Sequence, residues 1–114
     1  MESGVKFLKR EVKVDGVRLV ALYLGLENAS MLLVSEQSGR LGTLALSIPE
    51  TMHGVPYSTV ILGERFGDIA QMMAEHLSRK TGKISLFSIN LKTITADKIA
   101  KRLLQLIEMF VEEG

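Results

Sequence analysis

The sequence predicts an α+β domain in which a mostly antiparallel sheet carries two helices. Four or five strand-like segments come first, followed by a helix, a strand and a final helix, an order that favours one antiparallel sheet with both helices packed against it. Asp15 and Gly16 separate the first two strand-like segments, and this dipeptide is the strongest short signal of a hairpin turn. With 114 residues, the chain is expected to form one domain over residues 1–114.

The two strands of the predicted hairpin differ in character. In residues 7–14, Leu8, Val12 and Val14 share one face and charged residues occupy the other. Residues 17–24 carry apolar side chains on both faces, which predicts that this strand is covered on both sides. Two helices on one face leave the other face of the sheet bare and apolar, so we expect a second subunit to cover it.

Three further strands are predicted before the first helix. Residues 31–34 form a short strand between a turn at 27–30 and a polar, irregular segment at 35–42. Residues 44–48 and 57–62 are aliphatic and β-branched, as strands commonly are. The connection between them is expected to be an ordered loop, constrained by three residues: Pro49, Gly54 and Pro56.

An amphipathic helix is predicted after the break at Gly63. One apolar stripe at spacings of three and four defines it: Phe66, Ile69, Met73 and Leu77. Asp68 is expected to cap this helix, and the alternative start at Glu64 also places an acid at the positive end of the helix dipole. Gly82 suits the left-handed residue that closes a helix.

The chain ends with a predicted strand and a second helix. The strand covers residues 84–91, and the helix covers residues 96–111 with Thr95 as its cap and Asp97 in its first turn. The apolar stripe of this helix is wide, which predicts burial against more than one neighbour.

Composition and charge exclude several classes of protein. The chain has no cysteine, which excludes disulfides, Cys-ligated zinc and thiol nucleophiles and fits a reducing compartment. Its net charge of +1 does not indicate the strongly basic surface that binds nucleic acid or an anionic membrane. No apolar window approaches the roughly 20 residues of a membrane span. We therefore expect a soluble, cytoplasmic protein without nucleic-acid or membrane partners.

No pattern in the sequence points to catalysis. The two histidines, His53 and His76, have no metal-ligand spacing. Ser58 and Thr59 alternate within a predicted strand, where a packing role is more common than a nucleophilic one. The sequence therefore predicts a protein that is not an enzyme, with no catalytic residues, no metal and no cofactor.

Several short motifs at fixed spacing lie within residues 44–91. They are Leu44-Ala45, Val55-Pro56, Ser58-Thr59, Leu62-Gly63-Glu64, Ala74, Leu77, Arg79-Lys80-Thr81 with Lys83, and Ser88, Asn90 and Leu91. In these residues the chain resembles the proteasome assembly chaperone 4 family, small proteins that help to build the α-subunit ring of the proteasome core particle. Gly82 departs from the family pattern, which has Asn there, and Gly67 and Ile69 lie in a helix start that is polar in the family.

The resemblance implies both a fold and a function. The implied fold is a six-stranded, mostly antiparallel sheet with two α-helices, completed by dimerisation. The implied function is that of a non-enzymatic assembly chaperone that binds a proteasome α-subunit and assists assembly of the α-ring and core particle. Its other partner would be itself, in a homodimer, or a related small chaperone, as in the eukaryotic family. If the chain pairs with itself, it is expected to be a prokaryotic-type homologue of the family.

Five residues are the candidates for partner binding: Arg79, Lys80, Lys83, His53 and Glu64. The three cations either form a solvated helix end stabilised by the helix dipole or dock on an acidic patch of a partner. The family motif falls on these cations. A second functional class also stays open at this point, namely a small dimeric scaffold or sensory module of the roadblock or profilin-like type.

Overall fold

The computed structural model describes residues 4–36, 39–50 and 57–113, which contain six strands and two helices. The strands are β1 (Lys6–Val14), β2 (Val17–Gly25), β3 (Ala29–Glu36), β4 (Thr43–Ile48), β5 (Tyr57–Leu62) and β6 (Ile84–Asn90). The helices are α1 (Gly67–Thr81) and α2 (Ala96–Glu113). The α+β class is confirmed. The predicted loop with Gly54 and Pro56 lies outside the described residues.

The six strands form one sheet in the order β1-β2-β3-β6-β4-β5. Every neighbouring pair is antiparallel except β3 and β6, which are parallel. A parallel pair needs a long crossover, and here the chain passes through β4, β5 and α1 before β6 returns beside β3. The prediction of a mostly antiparallel sheet is therefore confirmed.

The turn between β1 and β2 has the backbone that its sequence predicts. Asp15 has a φ of 52° and Gly16 a φ of 79°. Positive φ at both central residues matches the right-handed twist of a hairpin. The two strands then pair along their whole length, from Lys6 with Gly25 to Val14 with Val17.

Both helices pack on the same face of the sheet. The register places seven fully buried or nearly fully buried side chains on that face: Leu19, Ala21, Leu32, Val34, Ala45, Phe87 and Ile89. Met73 and Leu77 of α1 and Leu103 and Phe110 of α2 belong to the same buried cluster. No described helix covers the opposite face, which agrees with the predicted arrangement.

β3 is longer than the predicted strand at 31–34. The prediction of a turn is wrong for Ala29 and Ser30, and the prediction of an irregular segment is wrong for Ser35 and Glu36. The polar residues Ser30, Ser35 and Glu36 are buried in β3, and each has a hydrogen-bond partner. The Ser30 and Ser85 hydroxyls lie 2.8 Å apart, and the Glu36 carboxylate accepts three backbone hydrogen bonds.

The sequence prediction is wrong for the residue that caps the start of α1 and correct for the residue that closes its end. Helix α1 begins at Gly67 with Phe66 as its N-cap, so the predicted cap at Asp68 is wrong and this acid lies in the first turn instead. At the other end the prediction is confirmed, because Gly82 has a φ of 70° and its N–H donates to the Ser78 carbonyl at 2.8 Å.

The start of α2 is organised by Thr95, although not as a simple cap. The Thr95 hydroxyl donates to the Asp97 carboxylate at 2.7 Å, and the Lys98 N–H donates to the Thr95 carbonyl at 3.2 Å. Thr95 therefore precedes the helix as predicted, and its side chain bonds to a side chain of the first turn.

A row of serines crosses the sheet beneath α1. Ser58, Ser47, Ser85 and Ser30 pair in register across β5, β4, β6 and β3 on the helix-covered face. Their small side chains let α1 lie close to the sheet. Gln71 Nε2 of α1 donates to the Ser58 carbonyl at 3.1 Å, and the Ser58 hydroxyl donates to Glu75. This contact fixes the position of α1 and of the residues at its end.

Candidate partner-binding surfaces

We call the sheet face opposite the two helices the open face. The strand register places the following partly or fully exposed apolar side chains on it: Leu22, Leu24, Met31, Leu33, Leu44, Leu46, Ile48, Ile61, Leu62, Ile84 and Leu86. They come from the five strands β2 to β6 and form a continuous apolar area. Monomers rarely expose contiguous apolar patches larger than a few hundred Å², so a face of this kind indicates an interaction site.

The open face continues to the sheet edge at β5. The pairing of β4 with β5 shifts register between Leu44 and Ala45, which leaves Ile61 without a partner residue opposite it. Ile61 is 53% exposed and Leu62 is 51% exposed. β5 also contains no charged residue, whereas natural proteins commonly protect an edge strand with charge. This edge therefore belongs to the same candidate interface.

The β1 side of the open face is charged except for Phe7, which lies opposite Leu24 and is 64% exposed. Lys9, Glu11 and Lys13 of β1 and Arg18 of β2 lie there. Glu11 pairs with Arg18 at 3.4 Å and with Lys9 at 3.9 Å. An apolar centre with a polar rim is the usual anatomy of a protein–protein interface.

We call Arg79, Lys80 and Lys83 the basic corner. Lys80 Nζ lies 3.0 Å from Glu108 Oε2 of α2, and the same oxygen lies 3.2 Å from His76 Nε2. The hydrogen bond from Lys80, assisted by the one from His76, lowers the pKa of Glu108 below its ordinary value. Lys80 and His76 therefore also tie α1 to α2.

The other two cations of the basic corner have different surroundings. Lys83 is half-buried, and its ammonium donates to the Leu26 carbonyl at 2.6 Å. Arg79 is exposed beside a small groove that Glu50 and Glu75 also line. Among the described residues, Arg79 has no ion pair closer than 4 Å. It is therefore the cation of the corner that a partner reaches most readily.

Glu64 lies apart from the basic corner. It precedes α1, whereas the basic corner lies in the last turn of α1 and just beyond it, and a helix of 15 residues is about 22 Å long. Glu64 instead lines a cleft of about 390 Å³ that Asn90 and Lys92 also line. The remaining candidate, His53, lies outside the described residues. The structure thus brings together three of the five predicted residues.

Phe66, beside the same cleft, is a feature that sequence analysis missed. Its φ of 65° is unusual for a residue with a bulky side chain, and the Arg65 guanidinium carbon lies 4.9 Å from its ring centroid. The Thr43 hydroxyl donates to the Arg65 carbonyl at 2.5 Å and holds this turn against β4. No sequence rule predicts a left-handed phenylalanine, so only the backbone reveals it.

The described residues offer neither a metal site nor a membrane-spanning helix. They contain no group of three or more histidine, aspartate or glutamate side chains placed to hold a metal ion. They also contain no helix that is long and apolar enough to cross a membrane.

Comparisons with known proteins point to one family. The family model described as proteasome assembly chaperone 4 matches residues 19–91, from β2 to just beyond β6. The fold is similar to that of a chain in the crystal structure of a novel chaperone complex for yeast 20S proteasome assembly, with a TM-score of 0.69 and 16% identity over 96% of this chain and 94% of that chain. At this identity the likeness shows a shared fold. No curated protein matches the sequence significantly.

Proposed function

Since the chain belongs to the proteasome assembly chaperone 4 family, we propose that it is a non-enzymatic chaperone that binds proteasome α-subunits and assists assembly of the α-ring and core particle. The observation that carries this proposal is the family match over residues 19–91. That region contains the central strands of the open face and all three cations of the basic corner. It therefore contains both surfaces that the chaperone would use.

The first surface is the open face, which packs against a second copy of the chain. Its apolar centre is stabilised when water is removed from it. Its charged rim carries both signs, so two copies related by a two-fold axis can place Lys9 or Arg18 near Glu11 of the other copy. A related small chaperone is the alternative occupant, and this complex would act in the cytoplasm.

The second surface is the basic corner, which docks on an acidic patch of the α-subunit. α1 packs on the face opposite the open face, so dimerisation leaves Arg79 accessible. Exposed charge increases the rate and specificity of association more than its affinity. This suits a chaperone that must leave when the core particle matures.

Native mass spectrometry of the protein, alone and mixed with proteasome α-subunits from the same source, tests this proposal. We expect a dimer that gains α-subunits. A dimer that ignores every α-subunit would contradict the chaperone function and favour a dimeric scaffold. A monomer that binds α-subunits would instead contradict the role of the open face.

A further inference from the structure

The segment that joins β3 to β4 lies on the open face. β6 lies between these two strands in the sheet, so their connection has to cross the end of β6. We call its described part, residues 39–42, the strap. The Arg40 N–H donates to the Ser35 hydroxyl at 3.2 Å, and the Gly42 N–H donates to the Ser88 hydroxyl at 2.8 Å. Both serines belong to the open face, so the strap is fastened to that face at β3 and at β6.

The strap lies close against the sheet and covers one end of the open face. Three open-face side chains in this part of the sheet are buried: Val20, Ser35 and Ser88. A Cβ built on Gly39 would lie 3.2 Å from the Leu22 Cδ1 atom. A Cβ built on Gly42 would lie 2.1 Å from the Ile89 carbonyl oxygen, so only glycine allows the strap to approach β6 this closely.

The other end of the open face is uncovered among the described residues. Four partly exposed apolar side chains form a row in register there, which we call the uncovered row: Leu24, Met31, Leu86 and Leu46. Packed sheets lie about 10 Å apart, and a backbone segment on one sheet fills much of that space. A second sheet can therefore pack on the uncovered row, beside the strap, but not over the strap itself.

Leu41 is the exposed apolar side chain of the strap. It is 51% exposed. Its two neighbours in the chain, Arg40 and Gly42, are held by the serine hydroxyls, and its own carbonyl accepts a hydrogen bond from Asn90 Nδ2 at 3.4 Å. A residue that is held in place before binding loses less conformational entropy when a partner buries it. Leu41 is therefore suited to anchor whatever packs beside the strap.

We infer that Leu41 of each copy packs against the uncovered row of the other copy, so that the strap fixes the register in which two open faces stack. The inference rests on the proposed function, in which a second copy covers the open face. Each copy carries both a strap and an uncovered row, so a two-fold axis makes this contact twice. The two straps also prevent one sheet from sliding along its strands over the other.

Sedimentation equilibrium of two leucine variants tests the role of Leu41. Leu41→Ser should raise the dissociation constant of the dimer at least tenfold, because each copy loses an apolar contact with the other. Leu41 lies outside the buried core, so the circular dichroism spectrum should stay that of wild type. Leu104→Ser is the matched control, since Leu104 is an exposed leucine of α2 on the helix-covered side, and it should leave the dissociation constant unchanged.

Chemical cross-linking tests the register itself. The chain has no cysteine, so a single introduced cysteine reports one position. An equimolar mixture of Leu41→Cys and Leu86→Cys chains, treated with a bismaleimide of short spacer, should give a cross-linked dimer that contains one chain of each kind. A mixture of Leu104→Cys and Leu86→Cys chains should not. Mass spectrometry distinguishes the products when one chain of each mixture carries an affinity tag.

The outcomes separate this inference from the proposed function. If Leu41→Ser dimerises as tightly as wild type while Leu22→Asp does not, the inference fails and the open-face dimer stands. Absence of the cross-link between positions 41 and 86 in a dimeric mixture would also overturn the inference. If the wild-type protein is a monomer at every concentration, the proposed role of the open face fails and the inference fails with it. If the variants behave as expected but the dimer binds no α-subunit, the inference holds and the chaperone function fails.

Discussion

Glu36 Oε2 accepts a hydrogen bond from the backbone N–H of Thr93 at 2.7 Å, at a point where β3 meets the loop between β6 and α2. The same oxygen accepts from the N–H groups of Lys92 at 2.8 Å and Ile94 at 3.0 Å. Burial acts to raise the pKa of this carboxyl, but the three donors outweigh it, so the pKa lies below its ordinary value of 4.5. One side chain thereby anchors the loop from which α2 starts.

Glu36→Gln should therefore destabilise the protein. We expect the free energy of unfolding to fall by about 1.5–3 kcal/mol at neutral pH, because the charged acceptor is lost from a buried site. Since the pKa of Glu36 is lower in the folded state, its stabilisation is fully present above pH 4.5 and is lost as the pH falls through the folded-state pKa. Urea denaturation at neutral and acidic pH measures the difference.

A control for this experiment is Glu112→Gln, which removes an exposed carboxylate near the end of α2. We expect it to leave stability within about 0.5 kcal/mol of wild type. A Glu36→Gln defect of equal size at neutral and acidic pH would contradict the role of the ionised carboxylate.

The Gly82 cap should be sensitive to a single methyl group. Gly82→Ala is expected to lower the free energy of unfolding by about 1 kcal/mol, because a side chain disfavours the left-handed backbone. A Cβ at this position would meet no atom within 4 Å, so crowding does not contribute. Gly82→Asn is the matched variant and should cost less, since Asn tolerates this conformation. Equal costs for both variants, measured by thermal unfolding, would argue against a backbone cause.

The parts of the fold that sequence predicted correctly are those governed by local rules. The turn at Asp15 and Gly16 and the helix end at Gly82 depend on backbone preferences that few other residues share, and both are confirmed. The apolar periodicity likewise predicted the helices and the bare sheet face. These signals require no knowledge of the remainder of the chain.

The errors occur where a distant partner decides the structure. The sequence predicts an irregular segment at Ser35 and Glu36. In the structure both residues belong to β3, and the Glu36 carboxylate accepts hydrogen bonds from backbone N–H groups 56 to 58 residues later in the chain. The same limit applies to the candidate sites. The basic corner was visible as a run of cations, whereas the left-handed turn at Arg65 and Phe66 is held by the hydroxyl of Thr43 in β4.

Arg79 should contribute to the α-subunit interface without supporting the fold. Arg79→Glu is expected to weaken α-subunit binding at least severalfold, mainly by slowing association, because exposed charges steer encounter. Lys101→Glu makes the same charge change at an exposed position on α2 and should have a smaller effect. Surface plasmon resonance at two salt concentrations measures both variants.

The salt dependence decides between docking and an indirect effect. If Arg79 meets an acidic patch, the difference between wild type and Arg79→Glu should shrink at high salt, because mobile ions screen exposed charges. Circular dichroism and the dimer mass should be unchanged. Identical affinities for Arg79→Glu and wild type at low salt would remove this residue from the proposed interface. Reversing Lys80 together with Arg79 is a stronger test, although Lys80 also pairs with Glu108.

Leu22 should be essential for the proposed dimer. It lies half-buried on the open face, opposite Lys9 in β1 and Leu33 in β3. Leu22→Asp would place a carboxylate among the apolar side chains of the interface. Removing this charge from water costs about 2 kcal/mol or more, and Lys9 opposite it offsets only part of that cost. We expect this variant to sediment as a monomer or to fail to fold. Lys13→Asp introduces the same group on the charged rim of the same face and should retain the dimer. A folded Leu22→Asp dimer with wild-type stability would show that the open face is not the subunit interface.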